Sequence, residues 1–111
     1  MNPFPYEING SFKNGALIKG ETVMPDGSKY AGEFRNLMPH GEGTMRYLNN
    51  NEYRGEFFNG DRSGYGRFFD RRDNSMYEGE FKHNQFNGEG KYMLADGSSF
   101  KGTFINGVLN S

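Results

Sequence analysis

The strongest constraint on this chain is a period. Tyr30-Ala31-Gly32-Glu33-Phe34 is followed by Gly41-Glu42-Gly43, Tyr53-Arg54-Gly55-Glu56-Phe57 by Gly64-Tyr65-Gly66, and Tyr77-Glu78-Gly79-Glu80-Phe81 by Gly88-Glu89-Gly90. Tyr30, Tyr53, Tyr77 and Phe100 hold one place in the unit at a spacing of 23 or 24 residues. Self-similarity at a fixed period of this length marks a repeat array, in which each unit buries its apolar face only by stacking on its neighbours. Function attaches to the repeat before it attaches to any single residue.

The units divide the chain into an N-terminal lead, residues 1–7, and one repeat domain, residues 8–111, with repeats at 8–29, 30–52, 53–76 and 77–99 and a half repeat at 100–111. The first copy is degenerate, as terminal repeats tend to be. It opens with Ile8-Asn9-Gly10-Ser11-Phe12, and its second half, Ile18-Lys19-Gly20, arrives one residue early and lacks the first glycine of the pair. The fifth opens with Phe100-Lys101-Gly102-Thr103-Phe104 and breaks off at Ser111.

Within a unit, aromatic and glycine residues alternate with period two, the strand period, and no segment keeps helical spacing. Each unit reads as a hairpin of two short antiparallel strands. Asn14-Gly15, Asn59-Gly60 and Asn106-Gly107 supply the positive φ angles of its turn. Asp26-Gly27, Asp96-Gly97 and Asn49-Asn50 join successive units, with a longer link from Asp70 to Met76. Connections this short predict a meander.

The alternation separates two faces. One takes Tyr30, Gly32, Phe34, Gly41, Gly43, Met45 and Tyr47, with Tyr53, Phe57, Phe68, Tyr77, Phe81, Tyr92 and Leu94 as later equivalents. Rings laid over glycine on this face restore the contact that glycine lacks and let the sheet curve. The other face carries mixed charge, including Glu33, Arg54, Glu56, Arg67, Glu80 and Lys91.

Composition fits a ring-built sheet. Only 33% of residues are hydrophobic, but 16% are Phe or Tyr, and rings bury a large area each. The formal net charge of -1 gives no electrostatic reason to bind nucleic acid. The absence of cysteine removes disulfides, thiolate catalysis and cysteine metal sites. Met1 to Tyr6 shows no basic, apolar leader and no segment is a membrane span, so the default expectation is a soluble cytoplasmic protein.

With Tyr-x-Gly-Glu-Phe, the Asn-Gly turn, Gly-x-Gly and Asp-Gly-Ser recurring from residue 8 to about 110, the chain closely resembles the MORN repeat family. The resemblance implies an all-β fold: an elongated, twisted, single-layer antiparallel meander of hairpins with an aromatic-lined groove. Roughly nine strands at ~4.8 Å spacing give a body ~40 Å long. The family supplies scaffolds and adaptors at membrane junctions, in the cytoskeleton and in cilia, and accessory modules of lipid kinases and methyltransferases. Its repeats often carry Trp where Phe34, Phe57 and Phe81 stand, and this chain has none.

The residues offer little for catalysis. Gly41-Glu42-Gly43-Thr44-Met45-Arg46 superficially suggests a phosphate-binding loop, but the third glycine is missing and no helix follows. His40 and His83 fall near hairpin turns and read as solvated turn residues. Glu33, Glu56 and Glu80 align as a row, but an intervening strand sets neighbours ~10 Å apart, too far to share a metal, and they read as solvated charge. Ser63 beside Gly64 reads as a turn serine without a base. No enzyme activity, cofactor or metal is expected.

Departures from the repeat point to partners. Repeat three carries Phe58, Tyr65 and Phe69 on the charged face, where other repeats have Arg35 and Lys82, Glu42 and Glu89, and Arg46 and Met93. This is a candidate apolar contact patch unless a loop or Phe4-Pro5-Tyr6 covers it. The aromatic groove is a second candidate, with Tyr30, Tyr53, Tyr77 and Phe100 in one row and Phe34, Phe57, Phe81 and Phe104 in another. A single-layer sheet is expected to leave these rings half covered. The sheet edges at Ile8 to Phe12 and Phe100 to Ile105 invite strand addition by another chain or a second copy, a homodimer included.

The expectation is a non-catalytic scaffold or adaptor that binds protein partners in a larger cytoskeletal or ciliary, axonemal assembly. The competing expectation is a phospholipid-associated module at a membrane surface. It is weakened because Arg71-Arg72 is flanked by Asp70 and Asp73 and no cluster of four basic residues occurs.

Overall fold

In a computed structural model, which describes residues 8–13, 16–36 and 38–109, the chain forms a single antiparallel sheet. Its strands are β1 (Ile8–Lys13), β2 (Ala16–Val23), β3 (Lys29–Arg35), β4 (Met38–Arg46), β5 (Glu52–Phe58), β6 (Asp61–Asp70), β7 (Ser75–Lys82), β8 (Gln85–Met93), β9 (Ser99–Ile105) and β10 (Val108–Leu109). They follow one another in chain order across the sheet, the meander that the short connections predict. The body measures 48 × 23 × 17 Å. β10 is one strand more than expected. It pairs Val108 with Ile105 and Leu109 with Phe104, so that end of β9 is covered rather than open.

Side chains set the turns as much as glycine does. Asn59 and Gly60 have φ of 46° and 89°, and Asn106 and Gly107 of 50° and 87°. Both central residues are therefore positive, as the tight hairpin turn demands. His83 and Asn84 make the same turn without glycine, at 49° and 68°. Asn14-Gly15 lies outside the described residues. Between units the device is an Asx turn. Asp26, Asn49, Asp73 and Asp96 each accept, through a side-chain oxygen, the amide two residues on, at 2.8 to 3.0 Å.

The core is a zipper of rings. Tyr30 meets Phe34 edge to face at 5.1 Å and Phe57 of the next repeat at 5.3 Å. Tyr53 meets Phe57 at 5.0 Å and Phe81 at 4.9 Å, and Tyr77 meets Phe81 at 5.1 Å and Phe104 at 5.0 Å. Each tyrosine thus binds its own repeat to the following one, with ~1 kcal/mol per contact beyond area burial.

Glycines make the zipper possible. Gly10, Gly20, Gly32, Gly43, Gly55, Gly66, Gly79, Gly90 and Gly102 face one another in register from β1 to β9. The Tyr53 ring lies on Gly66 so closely that a Cβ there would fall on the ring. The Tyr53 hydroxyl then donates to the Glu56 carbonyl at 2.7 Å, with the same bond from Tyr30 to Glu33 and from Tyr77 to Glu80. This buried O–H, once satisfied, costs little.

The glutamate row is not merely solvated charge. At each hairpin the register shifts beside Glu33, Glu56 or Glu80, leaving extra residues on the facing strand. The glutamate carboxylate accepts the amide of Glu42, Tyr65 or Glu89 across that bulge, at 2.7 Å in every case. At Gly64 the bulge needs φ of +94°, and a Cβ would strike the Glu56 carboxylate. Ser63, read from sequence as a turn residue, lies inside β6 as the first residue of this bulge.

Candidate functional site

The structure divides the expected partner-binding residues. Tyr30, Tyr53 and Tyr77 are 1%, 0% and 1% exposed, and Phe34, Phe57, Phe81 and Phe104 are also buried. The open aromatic cradle expected along these rows is therefore closed. The reason is the zipper, in which each tyrosine ring is roofed by the phenylalanine of the next repeat. Phe100 is the exception at 48% exposure, since no further ring lies over it among the described residues.

Phe58 and Tyr65 are exposed, at 57% and 53%, and Phe69 is half-buried. Phe58 and Tyr65 are neighbours on the charged face, and Phe69 stands apart from them. On β5 Phe58 lies two residues beyond Glu56, which faces the bulged Tyr65, so Phe58 and Tyr65 are ~7 Å apart along the strand direction, whereas Phe69 lies four residues beyond Tyr65 on β6, ~14 Å away. Each has its own polar companion. The His40 ring sits 5.1 Å from Phe58, burial and the Glu78 carboxylate beside it push the Tyr65 pKa up, and the Arg71 guanidinium lies 5.8 Å from the Phe69 ring. Whether Phe4-Pro5-Tyr6 covers them falls outside the described residues.

Near Phe69, Glu52 is buried at 4% exposure. Burial alone would raise its pKa, but hydrogen bonds from Arg46 and Arg54, at 3.1 and 3.0 Å, and their charges outweigh this and hold it below the usual carboxylate value. The charged face is thus locally organised by paired charge.

Sequence reasoning missed Arg62. The residue facing the repeat phenylalanine is Leu17, Pro39, Phe86 or Leu109 in the other units, and Arg62 in repeat three. That alignment was available in the sequence, as an arginine at an apolar register position. Its guanidinium lies among the Phe68, Tyr47, Tyr53 and Phe81 rings, at 4.9 to 5.9 Å from their centroids. One terminal nitrogen donates to the Tyr47 hydroxyl at 2.6 Å and the other to the Asn84 carbonyl at 2.7 Å. Its Nε is buried without a partner among the described residues.

The MORN repeat matches residues 30–52, 53–71 and 77–99, more than half of the chain. The chain belongs to the MORN repeat family. The matched segments start at the tyrosines of the zipper, Tyr30, Tyr53 and Tyr77. No curated protein matches the chain. The MORN repeat is a binding and structural repeat rather than a catalytic one. In this MORN chain no group of three or more His, Asp or Glu residues is placed to hold a metal ion among the described residues. No helix is long and apolar enough to cross a membrane among them.

Proposed function

We propose that this MORN chain is a non-catalytic scaffold or adaptor that holds protein partners in a larger assembly, with a cytoskeletal or ciliary, axonemal complex as its setting and the cytoplasm as its location. MORN repeats are protein- or membrane-binding modules. The observation that carries the protein reading is the exposure of Phe58 and Tyr65 on the charged face, at places where repeats two and four carry Arg35, Lys82, Glu42 and Glu89. Exposed rings on an already rigid sheet offer contact area at little ordering cost. Along β5 and β6 these two rings lie only ~7 Å apart, close enough for one partner element to cover both. Phe100 adds a further ring at the β9 end.

The lipid reading gains less support. Arg72 is tied to Asp70 at 2.8 Å, which removes half of the Arg71-Arg72 pair from a role at an anionic surface. The test is the double variant Phe58→Lys, Phe69→Lys. It is expected to keep the circular dichroism and melting temperature of the parent while losing co-purification with the native assembly. Retained co-purification, or sedimentation of the parent with phosphoinositide vesicles at physiological salt, overturns the reading.

A further inference from the structure

We infer that Arg62 is the anchor of a second docking site, on the ring face, for an acidic segment of a partner polypeptide in which glutamate or aspartate alternates with apolar residues. This inference rests on the protein-binding reading but uses the opposite face of the sheet from Phe58, Tyr65 and Phe69.

Arg62 stands where the fold accepts an apolar residue, so a cation there is not required by the repeat. Among the described residues no carboxylate lies within ion-pair distance of it. Two of its five N–H groups are used, one on each terminal nitrogen, and each terminal nitrogen keeps a second N–H. The Tyr47 hydroxyl accepts from Arg62 and so has its own proton to give. A half-buried, ring-surrounded guanidinium with spare donors is matched by a planar carboxylate better than by any other common group.

The surroundings favour a peptide over a free anion. Two hollows open at the Tyr47–Arg62 contact, both lined by these two residues. One is also lined by Met24, Met45 and Phe57 and the other by Leu48 and Phe68, which gives apolar side chains two seats beside the charge. Asp26 borders both hollows and opposes an anion, although its Oδ1 is engaged by the Ser28 amide. It is therefore a tuning residue, and its neutralisation is expected to tighten binding.

The probe is a decapeptide alternating leucine and glutamate, with a glutamine-for-glutamate counterpart and inorganic phosphate as controls. Binding is followed by the ¹H–¹⁵N resonance of the Arg62 Nε–H and by fluorescence anisotropy. The glutamate peptide is expected to shift that resonance. Arg62→Phe, which installs the residue that repeat four uses, is expected to fold and to weaken binding at least about tenfold, whereas Asp26→Asn strengthens it. The inference is overturned by equal binding of the glutamine peptide, unchanged binding to Arg62→Phe, weaker binding to Asp26→Asn, a response to phosphate alone, or no response to any probe. None of these results bears on the Phe58 and Phe69 variant, which tests the broader reading separately.

Discussion

Individual residues carry two opposite duties in this sheet, absence of a side chain at glycine and burial of a ring at tyrosine. Gly66 accepts the face of Tyr53 and has no room for a methyl group. Gly66→Ala is expected to lower stability by ~2 kcal/mol, the ordinary cost of overpacking, as read by urea denaturation. A loss near zero would mean that the ring does not lie where the zipper requires. The tyrosine hydroxyls give a second prediction. Burial first, then the nearby Glu80 charge, pushes Tyr77 up from 10.0 to about 12, and burial pushes Tyr30 and Tyr53 higher still. A folded-state pKa raised above the unfolded value contributes stability that is complete below pH 10 and lost as pH rises through about 12. Phenolate absorbance from these residues should therefore appear together with loss of the strand circular dichroism signal. Full ionisation near pH 10 with the sheet intact contradicts this.

At the scale of the element, consecutive hairpins are tied by a bond that recurs once per repeat. The Gly60 amide donates to the Pro39 carbonyl, Asn84 to Arg62 and Gly107 to Phe86, at 2.8, 3.1 and 2.8 Å. Each turn thus reaches back to the second strand of the preceding unit. These amides should exchange with deuterium as slowly as strand amides although they occupy turns, and exchange at the rate of open turns would show that the hairpins are not coupled in this way. The hairpins, their order and their two faces were legible from residue period alone, because strand alternation and Asn-Gly turns are local signals. Burial of the rings was not. Whether Tyr53 is roofed depends on Phe81, a residue 28 positions on, and that contact exists only once the sheet twists. The role of Glu56 was hidden for the same reason, since a carboxylate that spans a bulge looks in sequence like any exposed charge. Phe58, Tyr65 and Phe69 were legible as departures, but the closeness of Phe58 to Tyr65 and the distance of Phe69 were not, because both follow from the register and bulge between β5 and β6.

The whole molecule is a narrow strip, 48 Å long and 17 Å in its thinnest extent, held by one continuous zipper rather than by two packed layers. Such a body transmits position along its length and presents two unlike faces to its surroundings. The repeat supplies that shape, and repeat three departs from it twice, with Phe58, Tyr65 and Phe69 on the charged face and Arg62 on the ring face. The central claim is that partners engage the strip at repeat three. Hydrogen exchange by mass spectrometry, on the protein alone and in its native assembly, tests this most directly. Protection gained on β5 and β6, between Glu52 and Asp70, is the predicted result. Protection confined to the β1 edge or to β9 and β10, with β5 and β6 unchanged, contradicts it.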